Sequence, residues 1–246
     1  MNTNDLDGHT GYRTEFKFHE ENLRMLGWYA ERFVTALGRV GAQSLLSLGV
    51  GHQVVIRRIL DQMGHGLESY TVVEGSSARI TELAASTDLP KGVQLVQAFF
   101  EKYVAPEPLD AIEMGFVLEH VDNPLEVLTR YATFLRRGGL LVIVVPNARS
   151  LHRLVGHEAG FLDDVYQLSP QDLELGHQRY FDLASIRELV ERAGLRILRT
   201  EGVFLKCLTT SQLESLGLSA EILRGFFQVG VAFPEICNAI YLETTR

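Results

Sequence analysis

Residues 45–53 read Leu-Leu-Ser-Leu-Gly-Val-Gly-His-Gln, a short apolar run followed by two glycines that one residue separates. The apolar run predicts a buried β-strand, and the residues after the glycines are typical of a helix start. Glycine is needed at such a turn because a side chain would keep the backbone away from a nucleotide-like ligand. Gly49 and Gly51 therefore indicate a ligand-binding turn, although a Gly-x-Gly pair also occurs in turns that bind nothing.

Most of the chain alternates apolar runs with amphipathic segments. Residues 140–145, Leu-Leu-Val-Ile-Val-Val, are apolar without interruption, as in a parallel strand that helices cover on both faces. This alternation predicts an α/β fold with a doubly wound, mostly parallel, seven-stranded sheet. Gly138 and Gly139 are expected to end the predicted helix 124–136. The predicted strands are 44–48, 70–74, 93–97, 111–114, 140–145, 196–202 and 238–244, and the predicted helices are 52–63, 77–85, 124–136 and 183–193.

Two segments lie outside this alternation. Residues 1–40 carry apolar side chains at helical spacing, and residues 147–181 form a long connection after the fifth strand. A long connection inside a domain is more often a lid or a binding segment than an idle loop. We therefore interpret 1–246 as a single domain with a helical cap (1–40), a ligand-binding core (42–146), a lid insert (147–181) and the C-terminal part of the sheet (182–246).

Charge and composition narrow the class of partner. The formal net charge is −8 and no Lys/Arg run exceeds two residues, which argues against a nucleic acid. No apolar run approaches the about 20 residues that cross a bilayer, so a membrane partner is not expected. The polar N-terminus lacks the apolar core of a signal peptide, and Cys207 and Cys237 form no CxxC motif. These features predict a cytoplasmic protein with two free thiols, and they leave open whether it forms a homodimer.

Four segments, in order, resemble the class I S-adenosylmethionine-dependent methyltransferases. They are the glycine turn at 46–51, Val-Glu-Gly-Ser at 73–76, Leu-Glu-His-Val at 118–121 and Leu-Arg-Arg-Gly-Gly-Leu at 135–140. Independently of the resemblance, Glu74 ends the second strand, where a carboxylate can accept both ribose hydroxyls. The resemblance covers residues 42–146 motif by motif and the remainder loosely. The subgroup it resembles comprises small-molecule methyltransferases of quinone biosynthesis and natural-product tailoring.

The resemblance implies the Rossmann-like methyltransferase fold, S-adenosylmethionine as cofactor, and methyl transfer to an oxygen or nitrogen of a small-molecule acceptor. It also implies that the N-terminal segment folds over the cofactor. The residues predicted to bind the cofactor are Tyr12, Arg13, Gly49, Val50, Gly51, Gln53, Glu74, Gly75, Ser76, Ala98, Phe99, Phe100, Met114 and Gly115.

Three positions depart from the family pattern. Ser47 stands where the family usually has an acid for the amino end of the cofactor, and Gln53 replaces a third glycine. The acid that often follows the third strand is also missing, and Phe99 or Phe100 is expected to stack on the adenine instead. Both rings also have a simpler interpretation as core residues. The departures leave room for weak cofactor binding or a degenerate site.

His120 is the candidate catalytic base, because an imidazole titrates near neutral pH and this one follows the fourth strand. Its alternative role is to line the site. The acceptor is expected to contact the N-terminal segment and the insert, where the same side chains could instead clamp the insert onto the sheet. No metal is expected, since no acidic pair has metal-ligand spacing. The predicted substrate-binding residues are Phe16, His19, Tyr166, His177, Arg179 and Tyr180.

Two other functions stay open at this point. A non-catalytic relative would use the fold for binding only, which the departures at Ser47 and Gln53 favour. A nicotinamide-dependent dehydrogenase would also use a Gly-x-Gly turn and an acid, but its third glycine would fall at Val54.

Overall fold

The computed structural model describes residues 15–63 and 66–246. Within these ranges the strands are β1 (Ser44–Leu48), β2 (Ser69–Glu74), β3 (Val93–Gln97), β4 (Leu109–Gly115), β5 (Leu135–Pro146), β6 (Arg196–Val203) and β7 (Ala239–Thr245). The helices are α1 (His19–Val40), α2 (Val54–Met63), α3 (Ser77–Ser86), α4 (Pro124–Phe134), α5 (Leu151–Glu158), α6 (Pro170–Leu175), α7 (Leu183–Arg192), α8 (Thr210–Ser215) and α9 (Ala220–Gly230).

The strands form one seven-stranded sheet in the order β3-β2-β1-β4-β5-β7-β6. Strands β1 to β5 pair in parallel, whereas β7 is antiparallel to both β5 and β6. The predicted mostly parallel, doubly wound sheet is therefore confirmed. From β1 the chain adds β2 and β3 on one side and β4 and β5 on the other. Ligands of open α/β sheets bind at such a reversal, beyond the carboxyl ends of the strands.

Two core layers cover the sheet. Successive residues of a strand face opposite sides, so Leu45 packs in one layer and Leu46 in the other. The first layer takes its helical side chains from α1, α2 and α9, including Phe33, Ile59 and Phe227. The second layer takes them from α4 and α7. Both faces of β1 are thus covered by buried side chains, and the glycine turn follows directly at its carboxyl end.

The prediction that Gly138 and Gly139 end a helix is wrong. Helix α4 ends at Phe134, and Leu135 is already extended, with φ −77° and ψ 131°, and buried. Leu135 pairs with Leu109, and the register then shifts before Leu140 pairs with Ala111. Gly138 lies in this irregular stretch with φ +74°, a conformation that residues other than glycine rarely adopt. The two glycines therefore accommodate a bulge inside β5 rather than close α4.

The insert after β5 carries α5 and α6, and its ends are tied to each other and to the loop before β7. Ala148 N–H donates to Phe181 O at 2.7 Å, and Leu151 N–H donates to Ile236 O at 2.8 Å. In the part of the chain that the structure describes, no helix combines the length and apolar character needed to cross a membrane.

Candidate functional site

A cavity of about 1070 Å³ opens beyond the carboxyl ends of the parallel strands. Pockets for a single ligand are typically about 300–1,000 Å³, so this one has room for more than one small molecule. Its walls come from the glycine turn, the ends of β2 and β4, helix α1, the insert and the start of α8. The predicted cofactor-binding residues on its wall are Gly49, Val50, Gly51, Gln53, Glu74, Gly75, Ser76, Ala98, Phe99, Phe100 and Gly115.

The glycine turn has the backbone that the sequence predicts. Gly49 and Gly51 have φ values of +84° and +50°, and Gln53 also adopts a positive φ of 63°. Gly49 N–H donates to Val73 O at 2.8 Å, which fastens the turn to the end of β2. The third position of the motif thus keeps a left-handed backbone despite the loss of its glycine.

Glu74 organises the two strand ends through its carboxylate. One oxygen accepts from Val50 N–H at 2.9 Å and the other from Ser76 N–H at 2.8 Å. The side chain is buried, with 8% of the residue exposed at the cavity wall. Each carboxylate oxygen can accept two hydrogen bonds, so one acceptor position per oxygen remains for a ligand with paired hydroxyls.

The two aromatic residues after β3 lie against the glycine turn. A Cβ built on Gly49 would be 3.9 Å from the Phe100 ring, so this ring covers the turn. Tyr131 donates to Phe100 O at 3.0 Å, and Ala98 N–H donates to Glu74 O at 3.0 Å. The loop is therefore anchored to α4 and to β2, with Phe99 and Phe100 half-buried at the cavity wall.

A buried polar cluster lies where the family acid is missing. Ser47 is in register with Glu113 on β4, and its hydroxyl lies 3.0 Å from that of Tyr70. Glu113 accepts from Tyr29 at 2.9 Å and from Gly115 N–H at 2.7 Å. Burial raises the pKa of Glu113 to about 7, although these hydrogen bonds act in the opposite direction. The neighbouring strand thus supplies a carboxylate at the cavity wall.

Glycine is required at position 115 because a Cβ there would lie 2.6 Å from Glu113 Oε1 and also collide with the hydroxyl of Tyr29. The sequence predicts that Gly115 contacts the cofactor, and the close packing of Tyr29 and Glu113 is a second reason for glycine at this position. Met114, predicted beside it, points into the core and is fully buried. Within the described residues Met114 does not line the cavity.

The insert brings His177 beside His120, with ring centroids 4.9 Å apart. Both histidines line the cavity. Glu119 is fully buried next to them, and neither of its carboxylate oxygens has a hydrogen-bond partner among the described residues. Burial raises the pKa of Glu119 to about 7, and the charges of His177 and Arg179 oppose the shift.

Arg179 acts as a clamp rather than as a cavity residue. Its guanidinium donates to the carbonyl oxygens of Leu118, Val121 and Asp122, so it holds the loop after β4. Among the described residues it does not line the cavity, and the same is true of Phe16, His19 and Tyr166. Their predicted substrate contacts are therefore not supported by the geometry.

Each of these residues has another partner. Tyr166 is exposed and donates to Asp182 at 2.8 Å, His19 packs edge-on to His52, and Phe16 packs edge-on to Phe18. Tyr12 and Arg13 lie outside the described residues.

Tyr180 and His177 are the predicted substrate residues that do line the cavity. Tyr180 donates to Asp172 Oδ1 at 2.9 Å, and Arg153 lies over its ring at 4.2 Å from the centroid. Arg153 also donates to the Val165 and Gln167 carbonyls, which closes the insert on itself. The cavity wall around Tyr180 is therefore held in place by several hydrogen bonds and a cation–π contact.

A buried ion pair forms the wall beside α1. Lys206 contacts Glu21 at 2.6 Å and Thr210 at 2.8 Å, and Thr210 donates to the other oxygen of Glu21 at 2.8 Å. His152 lies close by, and its pKa falls to about 2 through burial and the positive charges of Lys206 and Arg153. This neutral imidazole and the ion pair make one end of the cavity polar.

Sequence reasoning missed Glu113, Tyr29, Lys206, Glu21 and His152. For two of them a signal was available: Glu113 interrupts the apolar strand 111–114, and Lys206 interrupts the run Val-Phe-Leu-Lys-Cys-Leu at 203–208. A charged residue inside an apolar run is buried at a cost unless it is paired, which makes it a candidate for function.

A family model described as "Methyltransferase domain" matches residues 21–200. The chain belongs to this methyltransferase family. The resemblance of its motifs to S-adenosylmethionine-dependent methyltransferases is thereby confirmed, and the dehydrogenase alternative is set aside. No curated protein matches the sequence.

Solved methyltransferases share the fold at low sequence identity. An S-adenosylmethionine-dependent methyltransferase from Mesorhizobium loti is 17% identical, with 90% of this chain and 98% of that chain covered and a TM-score of 0.61. The plantazolicin methyltransferase BpumL, in complex with a substrate analogue and S-adenosylhomocysteine, is 14% identical, with 99% and 90% covered and a TM-score of 0.64. Magnesium protoporphyrin IX methyltransferase from Synechocystis PCC 6803, with bound S-adenosylhomocysteine, is 14% identical, with 100% and 95% covered and a TM-score of 0.62.

Proposed function

We propose that this methyltransferase transfers the methyl group of S-adenosylmethionine to an oxygen or nitrogen of a small-molecule acceptor. The observation that carries the proposal is Glu74, which holds the glycine turn with one hydrogen bond and keeps acceptor positions toward a cavity sized for two ligands. Cavity and carboxylate both lie at the switch point of the sheet, where nucleotide-like ligands bind.

The residues of the site fit the cofactor. Glu74 would accept the ribose hydroxyls, and the glycine turn would lie against the rest of the nucleoside. Phe99 and Phe100 would flank the adenine, since both line the cavity beside the turn. With the ribose at the end of β2, the amino-acid part of the cofactor extends across β1 toward β4. There Glu113 and Gly115 line the cavity wall.

When bound, the cofactor supplies an electrophilic methyl group on a positively charged sulfur. The chain's own task is to align the acceptor with that methyl group and to exclude water. Arg179 and Arg153 fix the two walls on the acceptor side through backbone carbonyls. Because these walls are tied down, they hold an acceptor in place without a large closing movement.

The acceptor end of the cavity carries polar side chains, which supports a small molecule with polar groups as acceptor. Lys206, Thr210 and His152 lie on the wall together with apolar side chains of α1, such as Met25. A net charge of −8 does not favour a nucleic acid. BpumL and the protoporphyrin enzyme, which share this fold, are methyltransferases of small molecules by their names.

Calorimetric titration with S-adenosylhomocysteine tests the first half of this proposal. We expect one binding site per chain, and a labelled-methyl assay over metabolite fractions is expected to reveal a methylated product. Absence of binding at millimolar ligand would overturn the proposal. Tight binding without turnover in any fraction would favour the non-catalytic relative, which the loss of an acid at Ser47 motivates.

Glu113 is our candidate for the acid that Ser47 does not provide. The two residues are in register on adjacent strands, so the carboxylate is displaced by one strand and still reaches the cavity wall. Tyr29 from α1 and Tyr70 from β2 are the titratable groups that face it, and both have pKa values raised by burial. Both therefore stay neutral near pH 7, and Glu113 is the group in this cluster that changes charge there.

This assignment predicts a pH-dependent affinity. A cationic amino group binds the ionised carboxylate, and Glu113 has a pKa of about 7. Affinity for S-adenosylhomocysteine is therefore expected to rise from pH 5.5 to pH 8, by up to about tenfold per unit below pH 7. Calorimetry across this range measures it. Glu113→Gln should flatten the profile, whereas Glu126→Gln, which neutralises another carboxylate of the wall, should not. An unchanged profile in Glu113→Gln contradicts the assignment.

A further inference from the structure

Glu119, His120 and His177 form a group that we call the histidine–carboxylate cluster. Each residue can offer one ligand atom, and these atoms all lie within 4.8 Å of one another. Two ligands of one first-row metal ion lie about 3–4 Å apart, a spacing that small side-chain rotations reach. The histidines come from the loop after β4 and from the insert, so the cluster joins two elements that are remote in sequence.

The buried carboxylate of Glu119 would be stabilised by a bound cation. The residue is 0% exposed, and neither oxygen has a hydrogen-bond partner among the described residues. A buried carboxylate is costly unless it is paired or binds a metal. Arg179 does not fill this need, because its guanidinium donates to the carbonyls of Leu118, Val121 and Asp122.

Both imidazoles have an oxygen beside Nδ1. His120 Nδ1 lies 3.2 Å from Gly176 O, and His177 Nδ1 lies 3.4 Å from Asp172 Oδ1. For His120, an Nδ1–H directed at the Gly176 carbonyl places the lone pair on Nε2, the usual form of a metal-binding histidine. His177 Nδ1 makes no hydrogen bond with a described residue, so its contact with Asp172 is an electrostatic one. Asp172 is itself held by Tyr180 at 2.9 Å and by Ser169 N–H at 2.7 Å. The supporting shell is thus built from several elements.

We propose that the histidine–carboxylate cluster binds one divalent transition-metal ion through Glu119, His120 and His177. Two imidazoles and a carboxylate suit zinc, manganese or iron better than magnesium or calcium, which prefer oxygen ligands alone. Three protein ligands leave at least one coordination position open. His120 and His177 line the cavity, so the open position faces it.

The catalytic meaning of this site rests on the proposed function. An ion at the cavity wall would bind the acceptor's oxygen and favour its ionised form, which is the better nucleophile. His120 would then act as a ligand rather than as the base that the sequence predicts. The metal also narrows the acceptor class to molecules with a hydroxyl or enol that can coordinate it. The sequence did not reveal the site because His177 is remote in sequence from the adjacent pair Glu119 and His120.

Calorimetric titration of the chelator-treated, full-length chain with zinc chloride and manganese chloride tests the site. We expect one ion per chain, with affinity reduced at least 100-fold in His177→Ala and in Glu119→Gln. His157→Ala is the matched control, because that exposed histidine also has Nδ1 next to a carbonyl, Leu162 O at 2.9 Å. His19→Ala controls for binding by the neighbouring His19–His52 pair. Both controls should bind as the wild type does.

The visible spectrum of cobalt(II) added to the wild-type chain gives a second readout that needs no variant. Bands of a low-coordinate, nitrogen-containing site are expected, and the spectrum of hydrated cobalt alone would overturn the proposal. Titration with S-adenosylhomocysteine on the same samples separates the two proposals. Cofactor binding without metal binding overturns the metal site and leaves the proposed function standing. Metal binding without cofactor binding supports the site and overturns the function.

Discussion

Glu74→Ala is expected to weaken binding of S-adenosylhomocysteine at least about 100-fold. In the proposed complex, two ribose hydroxyls donate to the Glu74 carboxylate, and the substitution removes both hydrogen bonds. Each is worth about 1.5–3 kcal/mol. The substitution also releases Val50 N–H and Ser76 N–H, which the carboxylate now holds at 2.9 and 2.8 Å. Since every 1.4 kcal/mol or so is a factor of ten, the two ribose contacts alone account for the predicted loss.

Calorimetry on the wild type and on two variants measures this effect. Glu68→Ala removes the same charge from the opposite end of β2, where the side chain is exposed and away from the cavity. Its affinity should stay within about twofold of the wild type. If Glu74→Ala bound the ligand within threefold of the wild type, Glu74 would only be a brace of the turn, and the ribose would lie elsewhere.

The fold could be predicted because the central strands β1, β4 and β5 are mostly buried on both faces. Strands β1 and β3 begin and end at the predicted residues, and each is a short segment rich in leucine or valine. The order of strands and helices then follows from the alternation alone. The carboxyl ends of parallel strands meet at one edge, so Gly49, Gly51 and Glu74 could be placed together without knowledge of any contact.

The failure at Gly138 and Gly139 has a local cause. Glycine pairs end many helices, but Leu135 is buried against β4 and pairs with Leu109, which extends the strand by several residues. A pairing between residues remote in sequence thus overrode a local stop signal. Local patterns do not contain this information, because the partner strand determines where β5 begins.

Only the part of the site that contains a recognisable sequence motif could be predicted. The cofactor half follows from the glycine turn and Glu74, whereas the acceptor half is assembled from α1, the insert and α8. Lys206 meets Glu21, and His177 meets His120, across long sequence separations. For Arg179 the sequence left open a substrate contact or a clamp, and its guanidinium donates to the backbone carbonyls of Leu118 and Asp122.

The Lys206–Glu21 pair connects stability with the shape of the acceptor end. It joins α1 to the loop between β6 and α8, and both side chains are largely buried, with 7% and 11% exposed. Phe18 also lies against it, with Lys206 Nζ 5.6 Å from the ring centroid. The wall of the cavity at this point therefore depends on one charge pair and on Thr210, which bonds to both charges.

Lys206→Met is expected to lower the free energy of unfolding by about 3–5 kcal/mol, because it leaves Glu21 buried without its cation. Methionine keeps most of the aliphatic volume, so the loss reports on charge rather than on a cavity. Urea unfolding at pH 7, followed by circular dichroism, measures the change. Since Glu21 can regain a proton more easily than it can remain charged, the deficit should shrink as the pH is lowered toward 5.

The double variant Glu21→Gln with Lys206→Met separates the pair's net contribution from the cost of breaking it. A buried ion pair replaced on both sides is often close to neutral, because the desolvation penalty disappears together with the attraction. We therefore expect the double variant to recover most of the stability that Lys206→Met loses. It should also bind S-adenosylhomocysteine as the wild type does, since neither residue belongs to the glycine turn or to the end of β2. A double variant as unstable as the sum of the two single variants would contradict this. It would show that Lys206 and Glu21 stabilise the contact between α1 and the loop before α8 separately, through packing and through Thr210, and not as a pair.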